Sequence, residues 1–315
     1  MNVIEVENLT KDYGHGRGVF NISFQIKKGE VFGFLGPNGA GKSTTIRHLM
    51  GFSRPQEGKT KVFSMESFEN YHKILENVGY IPGEIALPEG LNGKEFVEMM
   101  GKLRKTENKE RLNYLFDKFK LDPNVETKRM SLGDKRKLAI ITAFMNDPDV
   151  LILDEPTSGL DPVMQQNFID FILDEKKRGK TILLSSHIFS EVDATCDRIA
   201  IIKEGVIVST FESSDIKRNQ NKVYQVEFEN KTDFDQFVKS TKYTGRVAGE
   251  IKEISIVDFD SEKFTAQVGV HDSQINQLID LLSEYKLSSF SQIPFTLEDY
   301  FMNFYKEEKD LGGAL

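Results

Sequence analysis

Cysteine is almost missing from this 315-residue sequence: Cys196 is the single one. One thiol cannot close an internal disulfide, so the chain suits a reducing cytosol. No apolar run comes near the roughly 20 residues that a membrane helix needs. The opening MNVIEVENLTKDYG lacks the basic-then-apolar layout of a signal peptide. Positive charge is in deficit, with 41 Lys and Arg against 49 Asp and Glu, a net −8. That balance argues against a general nucleic-acid-binding surface, though not against a local basic patch. Internal repeats and low-complexity tracts are absent too. What remains is 39% hydrophobic and 29% charged, the make-up of an ordinary globular protein. Its length allows one large domain, or a large and a small one.

Periodicity gives the layout. Ile22, Phe24 and Ile26 alternate with polar neighbours, the pattern of a half-buried strand, and the turn KKGE leads into a greasier strand, EVFGFL (30–35). The first thirty residues therefore read as antiparallel strands. Helical spacing follows in STTIRHLMGF, across 93–120 and in LAIITAFM (138–145). Strand VLILDE, a helix over 162–177, strand TILLSS (181–186), a helix over 188–194 and a hairpin-like pair over 198–210 complete an alternation that implies a largely parallel sheet. At 212–222 the polar, aperiodic ESSDIKRNQNK reads as a linker. Beyond it the order is strand, helix, strand, strand, helix, strand, then a last helix over 297–309. A β-α-β-β-α-β order predicts a ferredoxin-like split unit. The fold class expected is thus α/β, with a mostly parallel sheet, an N-terminal antiparallel β subdomain and a helical insertion, plus a small C-terminal α+β domain; the glycine-rich GPNGAGKS (36–43) between a buried strand and a helix makes it a P-loop type. The boundary is placed between 1–214 and 215–315.

Residues 36–43, GPNGAGKS, fit G-x-x-x-x-G-K-[ST], with a strand before and a helix after. Glycines in such a loop let successive backbone N–H groups point inward around a polyphosphate. The helix N-terminus adds positive potential, Lys42 a charge for the outer phosphates and Ser43 a hydroxyl for Mg²⁺. Four aliphatic residues, Val150 to Leu153, then run into Asp154 and Glu155. Two carboxylates at the end of a buried strand are costly without a cation. With the phosphate loop as neighbour, Asp154 is placed to hold Mg²⁺, and Glu155 to orient and deprotonate an attacking water.

Together LGPNGAGKST, MSLGDKRKL, LILDEPTSGLDP and SSH resemble, in that order, the ATPase subunit of an ATP-binding cassette (ABC) transporter, over roughly residues 3–210. The resemblance implies ATP contacts from Gly36, Pro37, Asn38, Gly39, Ala40, Gly41, Lys42, Ser43 and Thr44, with Tyr13 stacked on adenine. It implies Ser43 and Asp154 on Mg²⁺, Glu155 and His187 in hydrolysis, and Ser131, Gly133 and Asp161 acting across a dimer on the partner's ATP. It further implies a second ATPase subunit, a separate membrane permease that this chain must borrow, and a place on the cytoplasmic face of the cell membrane. Docking would fall around 84–103. Independently of the family, Ser131 with Asp134 makes a helix-start pattern.

Two positions depart from the family pattern. Gly83, with Glu84 beside it, stands where a glutamine is usual, and Leu132 replaces a common glycine while Gly133 is kept. Leu-containing forms resemble the branch that partners ABC-2-type exporters, as does TLEDYF (296–301) more weakly. The alternative is a soluble ABC-type ATPase acting on ribosome or nucleic acid. Such proteins commonly carry two cassettes or a long coiled-coil insertion, which this chain lacks. A kinase would explain the phosphate loop but not MSLGDKRKL, SGLD or His187. NKTD (230–233) imitates a guanine-reading motif, but its D-x-x-G companion, DLGG (310–313), falls after it instead of before. It reads as a turn and helix cap.

Overall fold

A computed structural model describes residues 1–104, 108–217, 221–245, 253–294 and 296–302. The chain divides into two compact units, Met1–Ser213 and Ser214–Leu315. The first begins with β1 (Asn2–Asp12), β2 (Gly18–Lys27), β3 (Val31–Leu35), α1 (Lys42–Leu49), β4 (Glu57–Val62) and β5 (Met65–Glu66). It continues with α2 (Tyr71–Asn77), β6 (Val78–Ile81), α3 (Gly93–Arg104), α4 (Lys109–Phe119) and α5 (Leu132–Phe144). It closes with β7 (Val150–Asp154), α6 (Pro162–Lys177), β8 (Thr181–Ser186), α7 (Phe189–Thr195), β9 (Arg198–Lys203) and β10 (Val206–Glu212).

Two sheets result. The central one runs β10-β9-β3-β8-β7-β6, parallel throughout except for β10 against β9. Every residue of β3, β7 and β8 is buried, as strands covered on both faces require. The second sheet, β2-β1-β4-β5, is antiparallel, and β2 shows the alternation of a strand with one wet face. Phe24 of that sheet stacks on Phe32 of the other at 5.2 Å, so the two share a core.

The parallel order sets the site. β3, β8 and β7 lie side by side, and their C-terminal ends release the phosphate loop, His187 and Asp154–Glu155 at one edge. Ligands of open α/β sheets bind beyond such strand ends.

In the stretch expected to be a linker, the described residues belong to regular elements: the end of β10, helix α8 (Ser213–Lys217) and the start of β11 (Asn221–Phe228). Its polar residues take ladder partners there, Glu212 opposite Arg198 and Asn221 opposite His271. The second unit adds α9 (Lys231–Ser240), β12 (Ser255–Asp260), β13 (Thr265–His271), α10 (Ile275–Leu282) and β14 (Leu287–Ile293). Its antiparallel sheet, β12-β13-β11-β14, has the strand order of a split β-α-β unit. Asn230 caps α9, its side chain accepting from the Asp233 amide at 2.9 Å, so NKTD is a cap. Of the helix expected over 297–309, residues 297–302 are helical; the remainder, and DLGG, lie outside the described residues.

Candidate functional site

Gly41 turns the phosphate loop into α1 with φ at +111°, a left-handed backbone that only glycine adopts freely. A β-carbon there would stand 2.7 Å from Val19 Cγ1 and 3.2 Å from the Gly18 carbonyl. Pro37, Asn38 and Gly39 form the exposed crest of the loop, while Ala40 and Gly41 are buried. The Ala40 carbonyl accepts from Gly205 at 3.0 Å, which ties the loop to the β9–β10 turn. Ser43 is exposed and Thr44 half-buried on the first turn of α1.

Lys42 is 5% exposed. Its ammonium donates to the carbonyls of Gly36 at 2.6 Å and Pro37 at 3.1 Å, and pairs with Glu155 Oε1 at 3.0 Å. The other oxygen, Glu155 Oε2, lies 2.7 Å from His187 Nδ1. A carboxylate only accepts, so the imidazole donates. Glu155 itself has φ at +49°, uncommon for a residue with a side chain and concentrated at functional turns. Its amide is pinned to the Ser185 carbonyl at 3.0 Å. Lys42, Glu155 and His187 thus form one chain of contacts across the ends of β3, β7 and β8.

Asp154, 2% exposed, accepts from the Ser185 hydroxyl at Oδ1 at 2.5 Å. Its Oδ2 faces Gly83: a β-carbon on that glycine would lie 2.9 Å from Oδ2 and 3.7 Å from Ser43 Oγ. The missing side chain keeps open the space between the Ser43 hydroxyl and the Asp154 carboxylate. Glu84 is exposed.

Tyr13 is 54% exposed, just past β1, with the Lys11 ammonium 5.7 Å from its ring centroid. Its amide donates to the Arg17 carbonyl at 2.8 Å, closing a turn that feeds Gly18 and Val19 to the phosphate loop.

Ser131, Gly133 and Asp161 assemble separately. Ser131 caps α5, its hydroxyl accepting from the Asp134 amide at 3.1 Å and donating to the Asp134 carboxylate at 2.8 Å. Asp161 caps α6 by accepting from the Met164 amide at 3.0 Å. A β-carbon on Gly133 would approach the Gly159 carbonyl to 3.2 Å, so the starts of the two helices adjoin. Leu132, 62% exposed, lays its side chain over Gly159. Among the described residues no hydrogen bond or ion pair joins Ser131, Gly133 or Asp161 to Lys42 or Glu155.

Two buried residues beside the site escaped the sequence reading. Arg136 of α5, 3% exposed, donates to the carbonyls of Pro82, Gly83 and Ser158 at 3.0, 2.8 and 3.0 Å. Glu191 of α7, 2% exposed, accepts from the Ser186 hydroxyl at 2.6 Å. Burial pushes its pKa up to about 7, against the opposing pull of the Ser186 and Thr157 hydroxyls.

Known proteins resemble this chain in sequence and in fold. The family model described as ABC transporter matches residues 19–158. The bacitracin transport ATP-binding protein BcrA of Enterococcus faecalis is 30% identical over 308 residues, 95% of each chain. An uncharacterized ABC transporter ATP-binding protein of Bacillus subtilis (strain 168), YhcH, is 34% identical over 71% of this chain and 75% of its own. The linearmycin resistance ATP-binding protein LnrL of the same strain is 35% identical over 68% and 70% of the two chains. Among solved structures, an ATP binding subunit of an ABC transporter superposes with a TM-score of 0.63 at 29% identity, covering 69% of this chain and 92% of that one. A dimeric ATP-binding cassette bound to ADP and Pi has the same fold, at a TM-score of 0.59 and 23% identity, with 67% and 98% covered.

Proposed function

This chain belongs to the family of ABC transporter ATP-binding proteins, and from that premise we propose that it powers an exporter by closing on ATP with a second subunit. The observation that carries this is the Glu155 carboxylate gripped between Lys42 at 3.0 Å and His187 at 2.7 Å, beside the phosphate loop.

ATP enters over the exposed crest of the loop. Backbone N–H groups at the start of α1 receive the phosphates, and the Lys42 ammonium exchanges the Gly36 and Pro37 carbonyls for phosphate oxygens. Ser43 and Asp154 are the residues that would hold Mg²⁺. The donor set fits, since both are oxygen ligands and Gly83 leaves the space between them clear. When bound, Mg²⁺ neutralises charge on the outer phosphates. Ser185 fixes one oxygen of Asp154 and leaves the other facing that space. Glu155 takes the proton of the attacking water, and His187, hydrogen-bonded to it, holds the carboxylate in place and faces the terminal phosphate. Little covalent chemistry is asked of the protein, so position and charge dominate.

Tyr13 stacks on adenine. Ser131, Gly133 and Asp161, apart from this chain's own Lys42 and Glu155, serve the ATP of the second subunit. Because the phosphate loop, Asp154, Glu155 and His187 of one half-site and Ser131, Gly133 and Asp161 of the other all occur in one chain, a second copy serves as the partner. The pair sits on the cytoplasmic face of the cell membrane and drives a separate integral-membrane permease of the ABC-2 type, docked around 84–103. No helix among the described residues is long and apolar enough to cross a membrane. Relatives named for bacitracin transport and linearmycin resistance support the export direction. The second unit braces or regulates the dimer; BcrA, aligned over 95% of both chains, supports its being part of the working subunit.

Equilibrium ATP binding to Lys42→Ala tests the site. Loss of a charge-assisted phosphate contact is expected to weaken affinity about 10- to 100-fold. Unchanged affinity would remove the loop from ATP recognition.

A further inference from the structure

Arg136 is a buried cation with no carboxylate within ion-pair distance among the described residues. Its guanidinium spends its donors on backbone: Nε on Ser158, Nη1 on Pro82 and Nη2 on Gly83. Burying a charge without an ionic partner is unfavourable, and burial pulls this guanidinium's pKa downward while Asp154 and Glu155 oppose that pull. Such a residue is out of place as mere packing. The carbonyls it holds belong to the two loops that flank the acids. Gly83 follows β6 and stands over Asp154 Oδ2. Ser158 closes the turn after β7, its amide donating to the Glu155 carbonyl at 3.2 Å. Arg136 itself lies on α5, whose N-cap is Ser131.

We propose that Arg136 is a positioning residue that locks the Gly83 and Ser158 loops to the Ser131 end of α5, so that phosphate binding at Ser131 is transmitted to Asp154 and Glu155. This rests on the reading of Ser131 as a contact for the second subunit's ATP. A planar guanidinium spreads its donors over three nitrogens and so reaches three separate carbonyls in two loops, whereas a lysine ammonium gathers its three donors on one nitrogen. Gly83, which lacks the usual glutamine side chain, is thus held by its carbonyl.

The test uses the full chain with Arg136→Lys and Arg136→Met. Amide hydrogen exchange is followed at Gly83, Glu84, Thr157 and Ser158, and ATP turnover is measured across an ATP titration. Both variants are expected to exchange at least tenfold faster at these amides, while amides of β3 and β8 stay protected. Maximal turnover falls at least tenfold, with half-saturating ATP shifted less than threefold. Lysine gives no rescue. Unchanged exchange in either loop, or turnover of Arg136→Lys within twofold of the parent, would overturn the proposal. If Arg136→Met fails to fold, Arg136→Lys still decides. If the parent itself fails to hydrolyse ATP, the transporter reading falls, and the exchange measurement still judges the loop-locking role by itself.

Discussion

The two units bury different things. Met1–Ser213 hides Lys42, Arg136, Asp154, Glu175, Lys180, Glu191 and Lys203, whereas among the described residues the second unit buries Ser255 and no charged side chain. Its core is aliphatic and aromatic, with Phe228, Phe234 and Phe237 at the centre. Buried charge is unfavourable unless paired, and it is retained where chemistry needs it. In the first unit some of it is structural: Glu175 accepts from Arg111 at 2.6 Å and from Arg178 at 2.8 Å, well away from the phosphate loop. Lys180 is structural too, donating to the Asp147 carbonyl at 2.8 Å, whereas Lys42, Arg136, Asp154 and Glu191 gather around the C-terminal ends of β3, β7 and β8. The contrast distinguishes a unit that retains buried charge from one with an ordinary apolar core.

Removing a core ring from the second unit sharpens this contrast most. Phe237 is fully buried, with Phe228 at 5.1 Å and Tyr285 at 5.6 Å between ring centroids. Phe237→Ala is expected to destabilise that unit by about 3–5 kcal/mol, the usual range for a deleted core ring. Denaturant unfolding followed alongside ATP binding checks it; if affinity for ATP collapsed as well, the division of labour would be broken.

A smaller effect is expected inside the first unit, at Glu191. Its pKa is raised from 4.5 to about 7 in the folded chain. Below pH 4.5 folded and unfolded chains both hold the proton. Between pH 4.5 and 7 the unfolded chain releases it first, so stability falls as pH rises and levels off above 7. The span corresponds to about 3 kcal/mol at most. Glu191→Gln should flatten that slope in unfolding curves taken from pH 5 to 8. Parallel curves for parent and variant would show that Glu191 does not set the slope.

How much of this was legible in the sequence depends on what carried each signal. β3, β7 and β8 are continuous apolar runs, and a strand buried on both faces writes itself that way. β4, EGKTKV, buries only Thr60 and Val62, so its pairing with β1 left no hydrophobic pattern to read. α2, with Ile74 alone buried, was silent for the same reason. Glu212 and Asn221 of the polar stretch expected to be a linker join strands through ladder partners distant in sequence. At the site, Lys42, Asp154 and Glu155 were visible because backbone wrapping and paired acids impose residue types at fixed spacing. Arg136 was not, lying in DKRK between Lys135 and Lys137, with partners that are all carbonyls. Carbonyls belong to every residue and leave no mark in a sequence.

The central claim, that Glu155 activates the water that splits ATP, is tested most directly by ATP binding and turnover of Glu155→Gln. ATP affinity should stay within a few-fold of the parent while hydrolysis slows by about 10²–10⁴-fold, the range for a lost general base. Near-parental turnover would contradict it.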